Sequence, residues 1–285
     1  MGGFDLITFT SDFGGSGGYV ASCEAVLIRL RPTTRVLHIC HEVGLGDVTI
    51  GALVLQRVVP LCPPAVHLAV IDPGVGTDRL PVAVTTARGD ALVGPDNGLL
   101  PPAADALGGL TGAWVLNPAD VRVQARLAGP VSSTFHGRDL FAPAAALLSA
   151  GLDPVKYGSP MDPAALVRQP PATCRITPQG ALAEVIEIDR FGNVGLALCF
   201  DEFPRLRDAL RVDIEGESLP SWNARVVRTY GDLRPGELGV FRDSWGHVAL
   251  ALNAASAAQL LSLERGMVVR LTKPAPAHDA AAHGE

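Results

Sequence analysis

The chain changes character once, and that change constrains its fold more than any other feature. Pro160, Pro163, Pro170, Pro171 and Pro178 fall in one short stretch. Proline fixes φ and lacks an amide donor, so such a stretch suits neither a helix interior nor a central strand. The sequence on either side reads differently, which predicts two units of unlike architecture. The expected organisation is an α/β domain with a mostly parallel sheet over residues 1–165 and a Pro-rich linker over 166–180. A small all-β, barrel-like domain follows over 181–273, then a disordered Ala- and Pro-rich tail over 274–285.

Before the linker, strand and helix signals alternate. Phe4 to Ser11, Arg35 to Cys40 and Val66 to Ile71 are apolar runs with β-branched members. Between them, Tyr19 to Leu30 has helical spacing and stops before Pro32, and Asp47 is placed to cap a helix ended by Pro60. Pro81 to Thr86 and Ala91 to Val93 flank Arg88-Gly89-Asp90, the pattern of a hairpin. Leu99 to Leu107 and Asp139 to Ser149 read as helices. Such alternation predicts a sheet covered by helices on both faces. Beyond the linker, seven short strand-like runs with turns between them, from Ala183 to Leu271, predict a small barrel or sandwich.

Composition removes several classes of function. Only 18% of the residues are charged and the net charge is -6, so no basic surface points to nucleic acid or to anionic membrane. Pro, Gly or Arg interrupts every apolar run well before the ~18 residues a span requires. Met1-Gly2-Gly3 leads into a strand-like run without a basic segment and an apolar core, so no signal peptide is expected. Five cysteines at spacings unlike metal ligands suit buried thiols in a reducing cytoplasm. There is no HExxH, no paired histidine spacing and no GxSxG elbow, so no metal, no cofactor and no serine nucleophile is expected. The richness in Ala, Arg and Pro suits a GC-rich bacterial genome.

The chemistry-bearing residues gather at predicted strand ends, where open α/β sheets bind ligands. Asp72 closes the third strand, and Pro73-Gly74 turns the chain sharply, so this acid is either a turn former or a site residue. Arg79, alone a surface arginine, can be locked against Asp72 by a bidentate pair. His136 stands in Phe135-His136-Gly137-Arg138-Asp139, a surface loop or a site loop just before a helix. An Asp, an Arg and a His from separate loops are enough to bind and orient a nucleophilic water. Asp12 ends the first strand before a Gly-rich turn, where it either shapes the turn or takes the hydroxyls of a ribose. That turn, GGSGG, does not fit the GxGxxG of dinucleotide sites. Asp96-Asn97-Gly98 is a strong turn signal. In the second domain, Asp189 and Asn193 bracket a turn, Ser244-Trp245-Gly246 lies in another, and Asn253-Ala254 follows a strand. His38, His41 and His67 fall in or beside strands, where core or surface roles suit them.

In order, these motifs resemble the S-adenosylmethionine hydrolases, also described as hydroxide adenosyltransferases and related to fluorinating and chlorinating enzymes. The likeness runs from about Leu6 to Leu271. It is carried by Thr10-Ser11-Asp12-Phe13-Gly14 with Tyr19-Val20, His41-Glu42, Asp72 to Arg79, Gly94 to Leu100, Ser133 to Pro143, Ile188 to Asn193, and Asn253 to Ser256. The resemblance implies hydrolysis of S-adenosyl-L-methionine to adenosine and methionine, with Asp72, Arg79 and His136 activating water. It implies Asp12 on the ribose, Asp189 and Asn193 on the methionine amino group and nearby polar atoms, and Ser244 on the carboxylate. Backbone at Asn253 and Ala254 would meet adenine. It further implies a homotrimer with each site between the N-terminal domain of one subunit and the C-terminal domain of the next. The chain departs from the family at Gly17, where an Asp is common, at Gly46, where an aromatic is common, and at Trp245. The alternatives are a halide-dependent adenosyl transferase, whose pocket would lack the Asp and His, and a non-catalytic protein that binds S-adenosylmethionine or adenosine.

Overall fold

A computed structural model of the chain describes residues 2–203, 209–216 and 221–273. The expected disordered tail, 274–285, lies outside the described residues. The chain forms two compact units, Met1–Gln169 and Pro170–Glu285.

The first unit runs β1 (Leu6–Ser11), α1 (Tyr19–Leu30), β2 (Arg35–Cys40), α2 (Val48–Val58), β3 (Val66–Val70), β4 (Pro81–Thr86), β5 (Ala91–Pro95), α3 (Pro101–Ala106), β6 (Leu110–Leu116), α4 (Pro118–Gln124), α5 (Ala142–Ser149) and β7 (Gly158–Met161). Its seven-stranded sheet has the order β2-β1-β3-β5-β4-β6-β7. The pairings β2–β1, β1–β3 and β3–β5 are parallel. The expected parallel character therefore holds for the half of the sheet that carries Asp12 and Asp72. The other half is antiparallel because β4 and β5 form the hairpin read from the sequence, and β6 and β7 extend it.

β1 and β3 are buried along their whole length, as strands covered on both faces must be. On one face, Ile7, Phe9, Leu68 and Val70 pack with Cys23 and Leu27 of α1 and with α5, which is buried at every position. On the other, Ala69 and Ile71 pack with Ala52 and Leu55 of α2 and Ala103 of α3. Asp47 caps α2, its carboxylate accepting from the Ile50 amide at 3.1 Å. A π-helical turn, Gly137–Phe141, precedes α5, so the helix begins two residues earlier than the sequence suggests.

At the opposite end of this sheet from the strand ends that carry Asp12 and Asp72 lies a buried polar network. His67 of β3 shares one nitrogen with Thr8 Oγ1 at 2.9 Å and the other with Asp90 at 3.1 Å. Asp90 also accepts from the Ala65 amide at 3.0 Å and from two nitrogens of Arg88. Burial disfavours the Asp90 carboxylate, but the Arg88, His67 and Ala65 hydrogen bonds outweigh it and hold its pKa well below the usual range.

The second unit runs β8 (Cys174–Thr177), β9 (Gly180–Ile188), β10 (Val194–Cys199), β11 (Ala209–Ile214), β12 (Trp222–Val226), β13 (Leu238–Arg242), β14 (His247–Leu252), α6 (Ala257–Leu261) and β15 (Val268–Thr272). Strand order is β10-β14-β13-β12-β11-β15-β9, and β10 pairs back onto β9, closing a seven-stranded barrel. Closure leaves the ring without an open edge. Inside it lie Val185, Val194, Leu196, Val212, Val240 and Leu250, all buried. β8 pairs onto β9 from within the proline-dense stretch. Among the described residues, no helix is long and apolar enough to cross a membrane.

Candidate active site

Asp72 and Arg79 sit at the two ends of the turn that follows β3. Arg79 donates from Nε to Asp72 Oδ1 at 2.8 Å and from Nη2 to Asp72 Oδ2, a two-point pair that fixes the guanidinium plane. Its free rotation is further limited by the Phe141 ring, 5.2 Å from Cζ. The pair is largely withdrawn from water, with side-chain exposures of 10% and 6%. Nη2 also donates to His136 Nδ1 at 2.6 Å. An arginine can only donate, so Nδ1 is an acceptor and a neutral His136 carries its proton on Nε2. Burial, then the Arg79 charge, push the His136 pKa below its ordinary value, against the opposing pull of Asp72 and Asp139. The imidazole is therefore neutral at neutral pH.

His136 immediately precedes the π-helical turn, and its loop is tied down on the far side. Asp139 accepts from the Ser132 amide at 3.0 Å and pairs with Arg138, whose guanidinium lies 5.0 Å from the Phe135 ring. Asn97 anchors the other wall. Its side-chain amide donates to the carbonyl of Ile71 at 2.9 Å, the residue before Asp72. Asp96 accepts from the Val167 amide at 2.9 Å. The Asp96-Asn97-Gly98 turn thus supports the site without lining it.

Asp12, Asp72 and His136 face one cleft of about 700 Å³ at the carboxyl ends of the parallel strands, well within the size range of small-molecule sites. Asp12 Oδ2 accepts from the Gly46 amide at 2.8 Å. Phe13, Tyr19 and Phe135 form an aromatic wall, with ring centroids 5.1–6.0 Å apart. Two of the three departures from the family pattern, Gly46 and Gly17, have local reasons. Gly46 has φ +69° and its amide holds Asp12, while Leu45 beside it projects fully exposed at the cleft. Gly17 has φ +84°, and a side chain there would press on the Tyr19 ring at 3.1 Å.

In the second unit, Asp189, Asn193 and Ser244 line one depression of about 350 Å³. Asp189 and Asn193 also line a neighbouring one of about 560 Å³ together with Asn253 and Ala254. Ser244 does not reach the second, nor Asn253 and Ala254 the first. Asp189 organises the region: Oδ1 accepts from the amides of Phe191 and Asn193, and Oδ2 from Asn193 Nδ2 at 2.7 Å. Gly192, at φ +81°, lets this turn lie against Ser256, which any Cβ would meet at 2.0 Å. Ala254 holds a left-handed conformation, φ +62°, an uncommon one for a residue with a Cβ. Two lining residues escaped the sequence reading. Tyr230 borders both depressions and its hydroxyl accepts from Asn193 at 3.4 Å. Arg228 borders the smaller one. Arg228 stands in no turn signature; Tyr230 follows the cap of a Thr229-x-x-Asp232 capping box, a short local signal that the sequence reading did not use.

Comparison with known proteins decides the family. The SAM hydroxide adenosyltransferase N-terminal domain matches residues 7–158 and the C-terminal domain of the same family matches 183–270. The chain belongs to the SAM hydroxide adenosyltransferase family. Curated relatives in this family include the (R)-S-adenosyl-L-methionine hydrolase of Salinispora tropica, 47% identical over 93% of this chain and 97% of that protein. The protein of the same description from Thermus thermophilus is 38% identical over 93% and 98%. A fluorinase from Actinopolyspora mzabensis is more distant, at 28% identity over 94% and 97%. A crystal structure of an uncharacterized conserved protein from Thermotoga maritima superposes with a TM-score of 0.84, at 31% identity over 94% of this chain and all of that one.

Proposed function

We propose that the protein hydrolyses S-adenosyl-L-methionine to adenosine and L-methionine. The single observation that carries the reading is that Arg79 contacts both Asp72 and a neutral His136, which line one cleft, in a chain whose curated relatives at 38% and 47% identity are named for that activity. The water oxygen forms a bond to C5′ while the C5′–S bond breaks. The bonding pair returns to sulfur, which leaves as a neutral thioether, and the water proton passes to solvent. The leaving group needs no acid, so the barrier lies in the nucleophile. Arg79 supplies fixed positive charge that favours hydroxide over water. His136 Nε2–H donates to the same oxygen and aims it. Asp72 acts through Arg79, whose plane it sets.

Asp12 takes the ribose hydroxyls, and the aromatic wall of Phe13, Tyr19 and Phe135 suits a sulfonium, since ring faces attract cations. In the second unit Asp189 and Asn193 serve the methionine amino group and nearby polar atoms, Ser244 the carboxylate, and the backbone at Asn253 and Ala254 the adenine. The active form is a homotrimer in which each site takes its first-unit residues from one subunit and its second-unit residues from the next. The protein acts in a bacterial cytoplasm, a setting suited to its five unpaired cysteines.

The test is incubation of the purified protein with S-adenosyl-L-methionine in chloride-free buffer, with products resolved by chromatography. Adenosine and methionine appear in equal amounts. Formation of a 5′-halogenated nucleoside only when halide is added would establish adenosyl transfer to halide instead, and binding without any product would establish a sensor.

The reaction also has a predicted pH signature. Protonating His136 places a hydrogen on Nδ1, which can then no longer accept from Arg79. The group's folded pKa is lowered, so kcat/KM is full above it and falls as pH drops through it. The acid limb of a kcat/KM profile lies below the ordinary histidine value of about 6.5. A limb at or above that value would remove His136 from the role.

A further inference from the structure

Beside the cleft, four polar side chains form a chain that the hydrolytic steps do not use. Ser11 Oγ lies 2.7 Å from His41 Nδ1, His41 Nε2 lies 2.8 Å from His38 Nδ1, and His38 Nε2 lies 3.5 Å from the Glu24 carboxylate. The direction of each bond follows from the far end. A carboxylate only accepts, so with Nε2–H of a neutral His38 turned toward Glu24 its Nδ1 is left to accept from His41. His41 Nδ1 then accepts from the Ser11 hydroxyl. The Ser11 oxygen keeps its lone pairs for the Phe13 amide, which points to it at 3.4 Å.

The chain begins inside the fold and ends near its surface. Ser11 is completely buried, whereas about a third of the His38 and Glu24 side chains is exposed. Burial, and after it the neighbouring His38, lower the His41 pKa to about 4, against Glu42 and Glu24. The imidazole is thus a neutral acceptor at neutral pH. The groups facing it are Ser11 of β1, His38 of β2, Glu24 of α1 and Glu42 just beyond β2, with the Phe9 ring packed at 4.7 Å. His41 also holds the same turn through its main chain, where its carbonyl accepts from the Gly14 amide at 2.7 Å. Residues 11 and 14, one on each side of Asp12-Phe13, are therefore both fastened to His41.

We propose that His41 is a positioning residue for the substrate ribose: by fastening Ser11 and Gly14 it fixes the turn that presents Asp12 to the cleft. Asp12 is then held from two directions, by this turn and by the Gly46 amide at 2.8 Å. His41 touches no substrate atom and takes no part in proton transfer. The proposal rests on Asp12 being the ribose carboxylate, and it places the consequence in nucleoside affinity rather than in the chemical step.

The test uses the full-length protein and two variants. His41→Phe keeps a ring against Phe9 and loses both side-chain hydrogen bonds, while His41→Asn restores an acceptor close to the Nδ1 position. Losing one well-made hydrogen bond is worth about 5- to 10-fold, so the KM of His41→Phe rises by that factor while kcat stays within about twofold. His41→Asn recovers most of the loss. Calorimetry with adenosine and 2′,3′-dideoxyadenosine gives an independent readout. The wild type prefers adenosine, and His41→Phe shrinks that preference by the same factor as it raises KM. An unchanged preference, or a fall in kcat at constant KM, overturns the proposal. Should His41→Phe fail to fold, Ser11→Ala and His41→Asn carry the comparison. A wild type that prefers adenosine yet releases none from S-adenosyl-L-methionine would sink the hydrolase reading and leave the positioning role standing. A wild type without that preference would sink the role of Asp12, and this proposal with it.

Discussion

Arg79→Ala lowers kcat for release of adenosine from S-adenosyl-L-methionine by about 10³-fold and leaves substrate affinity nearly unchanged. The magnitude is that of removing a preorganised charge aimed at the developing transition state. Arg79 meets three groups at once: the Asp72 carboxylate, His136 Nδ1 and the Phe141 ring. Arg79→Lys keeps the charge but not the planar fork, so it fails to restore the Asp72 pair and remains severely slowed. His136→Ala falls by a similar factor. Because the two side chains act as one unit, the double variant is little worse than either single one. Stopped-flow or chromatographic rates at saturating substrate, with direct binding measured in parallel, separate the terms. Near wild-type turnover in either single variant would end the water-activating assignment. Mixing Arg79→Ala chains with Asp189→Ala chains adds a test of assembly. If each site draws on two subunits, some sites in the mixed assemblies have both functional halves and activity partly returns.

Much of this arrangement is legible in the sequence because the relevant signals are local. Val66 to Val70 is apolar but for His67 and Pro73-Gly74 must turn, so Asp72 is forced to a strand end. The Asp47 cap, the 81–95 hairpin and the turn at Asp189 to Asn193 follow from equally short patterns. What stayed hidden is non-local. Leu110–Leu116 is a strand, but Thr111 and Gly112 interrupt its apolar run, and pairing with β4 and β7 holds it in place. The antiparallel half of the sheet depends on that strand. β8 arises among prolines because it pairs with Gly180 to Ala183, the start of β9 that β10 does not reach. His38 and His41 looked like ordinary strand histidines, since the four-membered chain from Ser11 to Glu24 draws on three elements. Tyr230 lies inside a Thr229-x-x-Asp232 capping box that marks a turn but not a site, so its role is defined by what it borders.

Asp90→Ala destabilises the first unit by about 3 kcal/mol, the cost of leaving buried partners of a charge without their acceptor. The Ala65 amide, His67 and Arg88 all lose this partner, and Arg88 keeps only the Val59 and Pro60 carbonyls. A domain of this size responds with a fall in melting temperature of roughly 6–12 °C. The effect depends on pH in a defined direction. The Asp90 pKa is depressed in the folded protein, so its contribution is complete above the unfolded carboxylate value of about 3.9. It is lost as pH falls below that value toward the folded pKa. The gap between wild type and variant in calorimetric melting therefore holds from pH 5 to 8 and closes only on strong acidification. A gap that vanished already near pH 6 would overturn the assignment of this stability to the Asp90 carboxylate. Activity per folded molecule stays close to wild type, because this network lies at the base of β3 while Asp72 stands at its top. The same strand thus separates two requirements. Its buried amino-terminal end tolerates a fully paired charge cluster that secures the sheet. Its carboxyl end leaves Asp72 and Arg79 beside a cleft, where a fixed charge gains its value from acting on a substrate.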